Sequence, residues 1–230
     1  MRKRFNERRE KISNNSQAGS DAPLFKACRL LYNGFDRRDA AMSQDFRSAR
    51  FWSAALMETA LFSGARAVDA TMGNGRDTLW LCQRVGPDGH VYAFDVQQEA
   101  VERTGQRLLD AGLSDRATLF CQGHQRMAEC VPEPVDAVMF NLGWLPGAEH
   151  AVTTRTETTL RAVDAALTLL KPQGLMTVCV YPGHEEGARE LKALTEWARQ
   201  LDSKIYDALL ECYMNQPNDP PQLIAVKKKG

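Results

Sequence analysis

The sequence predicts an α/β fold, a doubly wound and mainly parallel sheet of seven strands with an antiparallel edge, preceded by N-terminal helices. Three observations carry this. From residue 65 onward, short apolar runs of strand length alternate with helical patterns, which is how a parallel sheet covered on both faces is written. The last two runs, KIYDALLECY and PQLIAVKK, have no helix between them, so they should pair antiparallel. Of the 230 residues 43% are hydrophobic and 25% charged, the composition of an ordinary globular chain.

Residues 1–22 are polar, small and charged without apolar periodicity, and read as a flexible basic tail. A helical extension is predicted over 23–64. Leu24, Ala27, Leu30 and Leu31 repeat at helical spacing up to Asn33-Gly34, and Phe46, Ala49, Trp52, Leu56 and Ala60 do so up to Ser63-Gly64. The main domain is placed at 65–230. Its strands are expected at ARAVDA, HVYAFD, ATLFCQ, VDAVMF, GLMTVCVY and the two closing runs. Helices fall between them, marked by Leu160, Val163, Leu167 and Leu170, and later by Ala188, Leu191, Leu194, Ala198 and Leu201.

Net charge is zero but unevenly spread. Residues 1–66 carry 13 Lys/Arg against 7 Asp/Glu, or +6, which leaves −6 on the rest. A basic front fits either a solvated tail or contact with a polyanion. The six scattered cysteines and four histidines lack the spacing of a metal site, so reduced packed thiols and no metal are expected. No apolar stretch reaches the roughly 18 to 20 residues of a membrane span. The start MRKRFNERREK is not followed by a signal-peptide core. A cytoplasmic protein without a membrane partner is the expectation.

In such sheets ligands bind beyond the carboxyl ends of the strands, where strand order reverses. The first strand runs into DATMGNGRDT, a turn in which Gly73 and Gly75 permit close backbone approach and whose following helix offers unpaired N–H groups. Dinucleotide enzymes require a third glycine, and Thr78 stands there. The pattern D-x-x-x-G-x-G from Asp69 resembles class I S-adenosylmethionine-dependent methyltransferases, with Thr71 where many carry glycine. Asp95 ends the second strand, 95 − 75 = 20 residues past the last glycine, placed to accept from ribose hydroxyls. Gln122 and His124 follow the third strand, beside the adenine side of such a pocket. His124 equally suits a structural role at a helix N-terminus.

The fourth strand ends in NLGWLPGAEH, at the position where amino methyltransferases present D/N-P-P-aromatic to an acceptor amine. Together DATMGNGRDTLWL, NLGWLPGAEH, YPGHEEG and NQPNDPPQLIAVKK resemble the rRNA-methylase-like family, whose characterised members methylate the aminomethyl group of wobble 2-thiouridine in tRNA. The resemblance spans about residues 65–229. It implies a Rossmann-like class I methyltransferase fold, S-adenosyl-L-methionine as cofactor, the tRNA anticodon region as partner, and a homodimer. By position it assigns Asp69, Thr71, Gly73, Asn74, Gly75, Asp77, Thr78, Asp95, Val96, Gln97, Gln122, His124 and Asn141 to the cofactor. To the methyl acceptor it assigns Asn141, Trp144, His150, Tyr181 and His184. Arg76 and Trp144 depart from the family's usual histidine and tyrosine; Trp144 keeps a stacking face but offers an N–H instead of a hydroxyl.

The chemistry expected is alignment of an amine by Asn141 and the Leu142 carbonyl, stacking by Trp144, and proton relay by His150 or His184. His184 would equally cap the helix that begins EEGARELKAL. The alternatives are an rRNA or small-molecule methyltransferase using the same cofactor site and, from another class, a non-catalytic nucleotide-cofactor-binding protein or an NAD-dependent oxidoreductase.

Overall fold

The computed structural model describes residues 48–143 and 153–230. The expected tail, the first predicted helix, Trp144 and His150 lie outside the described residues. The elements run α1 (Ala49–Met57), β1 (Arg66–Asp69), α2 (Arg76–Val85), β2 (His90–Asp95), α3 (Gln98–Asp110), β3 (Ala117–Cys121), α4 (Met127–Cys130), β4 (Val135–Asn141), α5 (Thr156–Leu169), β5 (Leu170–Val180), α6 (Glu185–Gln200), β6 (Tyr206–Glu211) and β7 (Gln222–Lys228).

One seven-stranded sheet has the order β3-β2-β1-β4-β5-β7-β6. β1 pairs in parallel with β2 and β4, β2 with β3, and β4 with β5. β7 is antiparallel to both β5 and β6. The chain therefore enters at the middle of the sheet, walks out to β3, and returns to β4 on the other side of β1. That reversal leaves a crevice over the carboxyl ends of β1 and β4. The antiparallel strand is β7, one place in from the edge, because the chain after α6 lays β6 outermost and then turns back into the gap beside β5.

The central strands read as continuous apolar runs because helices cover both faces. Val68, Phe94, Val138, Phe140, Met176, Val178 and Ile224 are all buried in one core, and Phe94 stacks on Phe120 with ring centroids 4.7 Å apart. β5 begins earlier than GLMTVCVY predicts. Val135 pairs with Leu170 and Ala137 with Leu175, so Lys171–Gly174 bulge out of the ladder, helped by Gln173 at φ 65.

Helix α1 packs on β5 and β7. Its Ala49 meets Cys179 and Leu223, and Ser53 and Thr177 share a buried 2.8 Å hydroxyl hydrogen bond. The Ser48 side chain caps it by accepting from the Phe51 N–H. Among the described residues no helix is long and apolar enough to cross a membrane.

Candidate active site

A cleft of about 610 Å³ opens over the carboxyl ends of β1, β2 and β4, within the size range of small-molecule sites. Its floor at one end is the turn after β1. Gly73 and Gly75 take φ 49 and φ 72, a region that disfavours side chains. A Cβ on Gly75 would lie 2.7 Å from Thr104 Oγ1 and 2.9 Å from Thr104 Cα. Helix α3 can come this close only because position 75 has no side chain. It then supplies the turn's oxygens with donors. Thr104 Oγ1 donates to the Gly73 carbonyl at 3.2 Å, and Arg107 Nε to the Asn74 carbonyl at 2.8 Å. Arg103 donates to Asn74 Oδ1 at 2.9 Å.

Asp95, at the end of β2, accepts from the backbone N–H groups of Gly73 and Gln97, both at 3.0 Å. Burial pushes its carboxyl above the usual range, against the pull of these N–H groups. Each oxygen keeps a lone pair for a further donor. Val96, Gln97 and Gln122 line the same end of the cleft, and Val96 is an exposed apolar surface there.

His124 is buried, with Nδ1 3.2 Å from the Ala70 carbonyl and its ring edge-on to Phe140. A carbonyl only accepts, so Nδ1 carries the proton. Burial lowers the pKa to about 4, which keeps the imidazole neutral and leaves Nε2 an acceptor. It sits at the start of a helical turn and also lines the cleft.

Asp69 and Thr78 act from behind. Asp69 is 1% exposed and accepts from Thr78 Oγ1 at 2.6 Å and the Thr71 N–H at 3.1 Å. Burial, then the nearby Asp77 charge, raises its pKa to about 7. Neither Asp69 nor Thr78 is among the residues lining the cleft; they tie the turn to the start of α2.

At the other end Asn141 closes β4. Its backbone N–H donates to Thr71 Oγ1 at 2.8 Å. Its Nδ2 donates to Asp77 Oδ2 at 3.1 Å, and its Oδ1 accepts from the Tyr181 hydroxyl at 2.8 Å. Asp77 Oδ1 in turn accepts from Arg50 Nη2 at 2.9 Å. Burial keeps the Tyr181 hydroxyl protonated, raising its pKa well above the usual range. Leu142 is buried and donates its N–H to the Cys179 carbonyl. Gly143, at φ 125, bonds Thr154 both ways through backbone and hydroxyl. Thr154 then donates to the buried Glu190 at 2.9 Å, as Thr159 does at 2.7 Å.

The structure thus brings Thr71, Gly73, Asn74, Asp77, Asp95, Val96, Gln97, Gln122, His124, Asn141 and Tyr181 around one cleft. It places His184 elsewhere, as the cap of α6, its Nδ1 accepting from the Gly187 N–H at 3.2 Å. Arg50, Thr153, Thr154, Arg155 and Thr158 also line the cleft and were not singled out from sequence. The threonine-rich TTRTETT run held a faint signal for four of them. Arg50 held none.

Comparison with known proteins agrees with this geometry. Residues 91–227 match the family described as "Putative rRNA methylase". The chain belongs to that family. It is 36% identical over 184 residues to the chloroplastic tRNA (mnm(5)s(2)U34)-methyltransferase of Arabidopsis thaliana, covering 75% of this chain and 67% of that protein. A structure described as "putative rRNA-methylase from Clostridium thermocellum" superposes with a TM-score of 0.78 at 38% identity, covering 80% of this chain and 99% of that one. A Streptococcus mutans protein described as "a putative methyltransferase" and solved in complex with SAH gives a TM-score of 0.73 at 33% identity, with coverage of 80% and 99%.

This family member is an S-adenosylmethionine-dependent methyltransferase. The residues fit such a cofactor. Asp95 has carboxylate lone pairs able to accept from hydroxyls, Val96 offers an apolar face, and neutral His124 and Gln122 bring polar atoms to the same cleft.

Proposed function

We propose that this methyltransferase N-methylates the aminomethyl group of wobble 2-thiouridine, taking the anticodon region of tRNA as its partner. One observation carries the reading. Asn141 stands at the end of β4 in the same cleft as Asp95, with its amide held from both sides by Asp77 and Tyr181. An amide fixed with its oxygen beside a cleft suits an amine, which needs an acceptor for N–H while its lone pair stays open. The Arabidopsis thaliana relative named for this wobble reaction supports the choice of acceptor.

The bound cofactor supplies an electrophilic methyl carried on a sulfonium. The chain's own residues align the amine by hydrogen bonding. Asn141 Oδ1 retains a lone pair beyond the one taken by Tyr181, and the Leu142 carbonyl is the second acceptor. Trp144 is assigned to stack on the uracil ring from its place in the sequence. Because His184 is engaged as a helix cap, the weight for passing on the released proton moves to His150.

The acceptor must arrive as a neutral amine, although an alkyl amine has a pKa near that of Lys, about 10.4. Desolvation favours the neutral form. The acceptor end helps by offering little net negative charge, since Asp77 is paired with Arg50.

The test is nucleoside analysis of bulk tRNA from a strain lacking the protein, incubated with the purified chain and labelled cofactor. A labelled, methylated wobble nucleoside is expected. Label confined to rRNA, or none in tRNA, would overturn the reading.

A further inference from the structure

We infer that Arg50, on the helix ahead of the sheet, is a positioning residue for methyl transfer: through Asp77 it sets the orientation of the Asn141 amide and balances the charge around the acceptor. The inference rests on the proposed amine acceptor. Four side chains form a single line. Arg50 on α1 donates to Asp77 on α2 at 2.9 Å, Asp77 accepts from Asn141 on β4 at 3.1 Å, and Asn141 accepts from Tyr181 after β5 at 2.8 Å.

The chemistry of each member dictates the next. A carboxylate can only accept, so the Asn141 edge facing Asp77 has to be its NH₂. Its oxygen is then turned toward Tyr181 and the cleft. A tyrosine hydroxyl can donate or accept and would tolerate either amide orientation. Asp77, not Tyr181, therefore decides which atom meets the substrate.

Arg50 governs Asp77. The Asp77 side chain is only 14% exposed and Arg50 33%, so their pairing is partly shielded from water. Nearby titratable or charged groups on the other elements are Asp69 on β1, Asp95 on β2, Cys179 on β5 and Tyr181 after it, with Arg76 and Arg155 also lining the cleft. Asp69 already feels the Asp77 charge, and the Cys179 thiol is pushed up to about 12, first by burial and then by Asp77. Without Arg50, the excess negative charge would hold an incoming amine as its ammonium form, which has no lone pair to attack.

The experiment compares Arg50→Met, which keeps the stem length, with Arg50→Lys, which keeps the charge. A carboxylate 4–6 Å from a cation shifts such a pKa by about 1–3 units. In Arg50→Met, kcat/KM for tRNA is expected to fall at least about tenfold near pH 7, and the acid limb of its pH profile to move up by about one unit or more. Activity should recover toward wild type as pH rises. Arg50→Lys should keep the wild-type limb, and affinity for S-adenosylhomocysteine should stay within about twofold in both.

A loss equal at every pH, or a rise in KM for tRNA with an unmoved limb, would overturn the inference. A second arm needs no turnover. The side-chain amide resonance of ¹⁵N-labelled Asn141 should move in Arg50→Met and stay put in Arg50→Lys, whereas an unmoved resonance in both overturns the coupling. If the wild-type chain transfers no methyl to tRNA, the tRNA reading falls by itself, and the resonance arm still decides the role of Arg50.

Discussion

In the half of the cleft proposed for the cofactor the backbone does most of the holding: N–H groups of Gly73 and Gln97 grip Asp95, and α3 feeds donors to the turn's carbonyls. In the half proposed for the acceptor side chains do it, with Arg50, Asp77, Asn141 and Tyr181 in line. The contrast matches two tasks. A cofactor shared across a fold class is held by geometry that many sequences can adopt, provided glycines stand at the turns. An acceptor amine needs one particular lone pair in one place, and side chains set that. Changes in the first half should therefore disturb binding and stability, and changes in the second should disturb turnover.

The largest break in this pattern comes from Asn141→Ala. Removing a positioned hydrogen-bonding group from a reacting centre costs about 10²–10³-fold in kcat. Calorimetric affinity for S-adenosylhomocysteine should change only a few fold. A parallel loss of affinity would erase the distinction between the halves. On the cofactor side the counterpart is Gly75→Ala. The new methyl meets Thr104 at 2.7 Å with the backbone at φ 72, so strain and overpacking together should cost about 2–4 kcal/mol. A drop in Tm of roughly 5–15 °C, with weakened cofactor binding, is the expected readout of a thermal scan.

This contrast also explains what could be read in advance. All seven strands and the alternation of the domain were legible, because burial on both faces writes strands as apolar runs. The turn from Asp69 to Thr78 was legible as well, since its glycines answer a local backbone demand. Arg50 was not. It is 27 positions from Asp77, which is 64 from Asn141, which is 40 from Tyr181, and an arginine on a helix carries no mark of the carboxylate it will meet. The same blindness affected Asp69 and Thr78, which the motif assigned to the cofactor but which bond each other behind the turn and do not line the cleft; for His184 the capping alternative was legible, and it is the cap of α6.

A smaller effect tests whether Asp69 works behind the cofactor half. An acid whose folded pKa is lifted above its unfolded value binds more protons folded than unfolded between the two. With Asp69 near 7 when folded and about 3.9 unfolded, its contribution to stability is lost as pH rises from about 4 to about 7. Asp69→Asn removes that titration while still accepting from the Thr71 N–H and offering its NH₂ to the Thr78 hydroxyl. The Tm of the variant relative to wild type should climb by a few degrees between pH 5 and pH 8. A constant gap across that range would show that Asp69 is not the buried titrating group.

The smallest effects belong to the rim. Arg76 begins α2 and Arg155 precedes α5, both exposed and both lining the cleft. A cation at a helix N-terminus opposes the dipole at a cost of about 0.3–1 kcal/mol, so replacing either with alanine should not lower Tm. If they meet RNA phosphates, each replacement should raise KM for tRNA a few fold and flatten its dependence on log salt by about 0.7. Turnover at saturating tRNA and affinity for S-adenosylhomocysteine should hold. This sharpens the division inside the proposed acceptor half itself: among the described residues three arginines line one cleft, yet Arg76 and Arg155 should answer to salt while Arg50 answers to pH. An Arg50 variant that responded to salt with an unmoved acid limb would join the rim, and the line from Arg50 to Asn141 would lose its meaning.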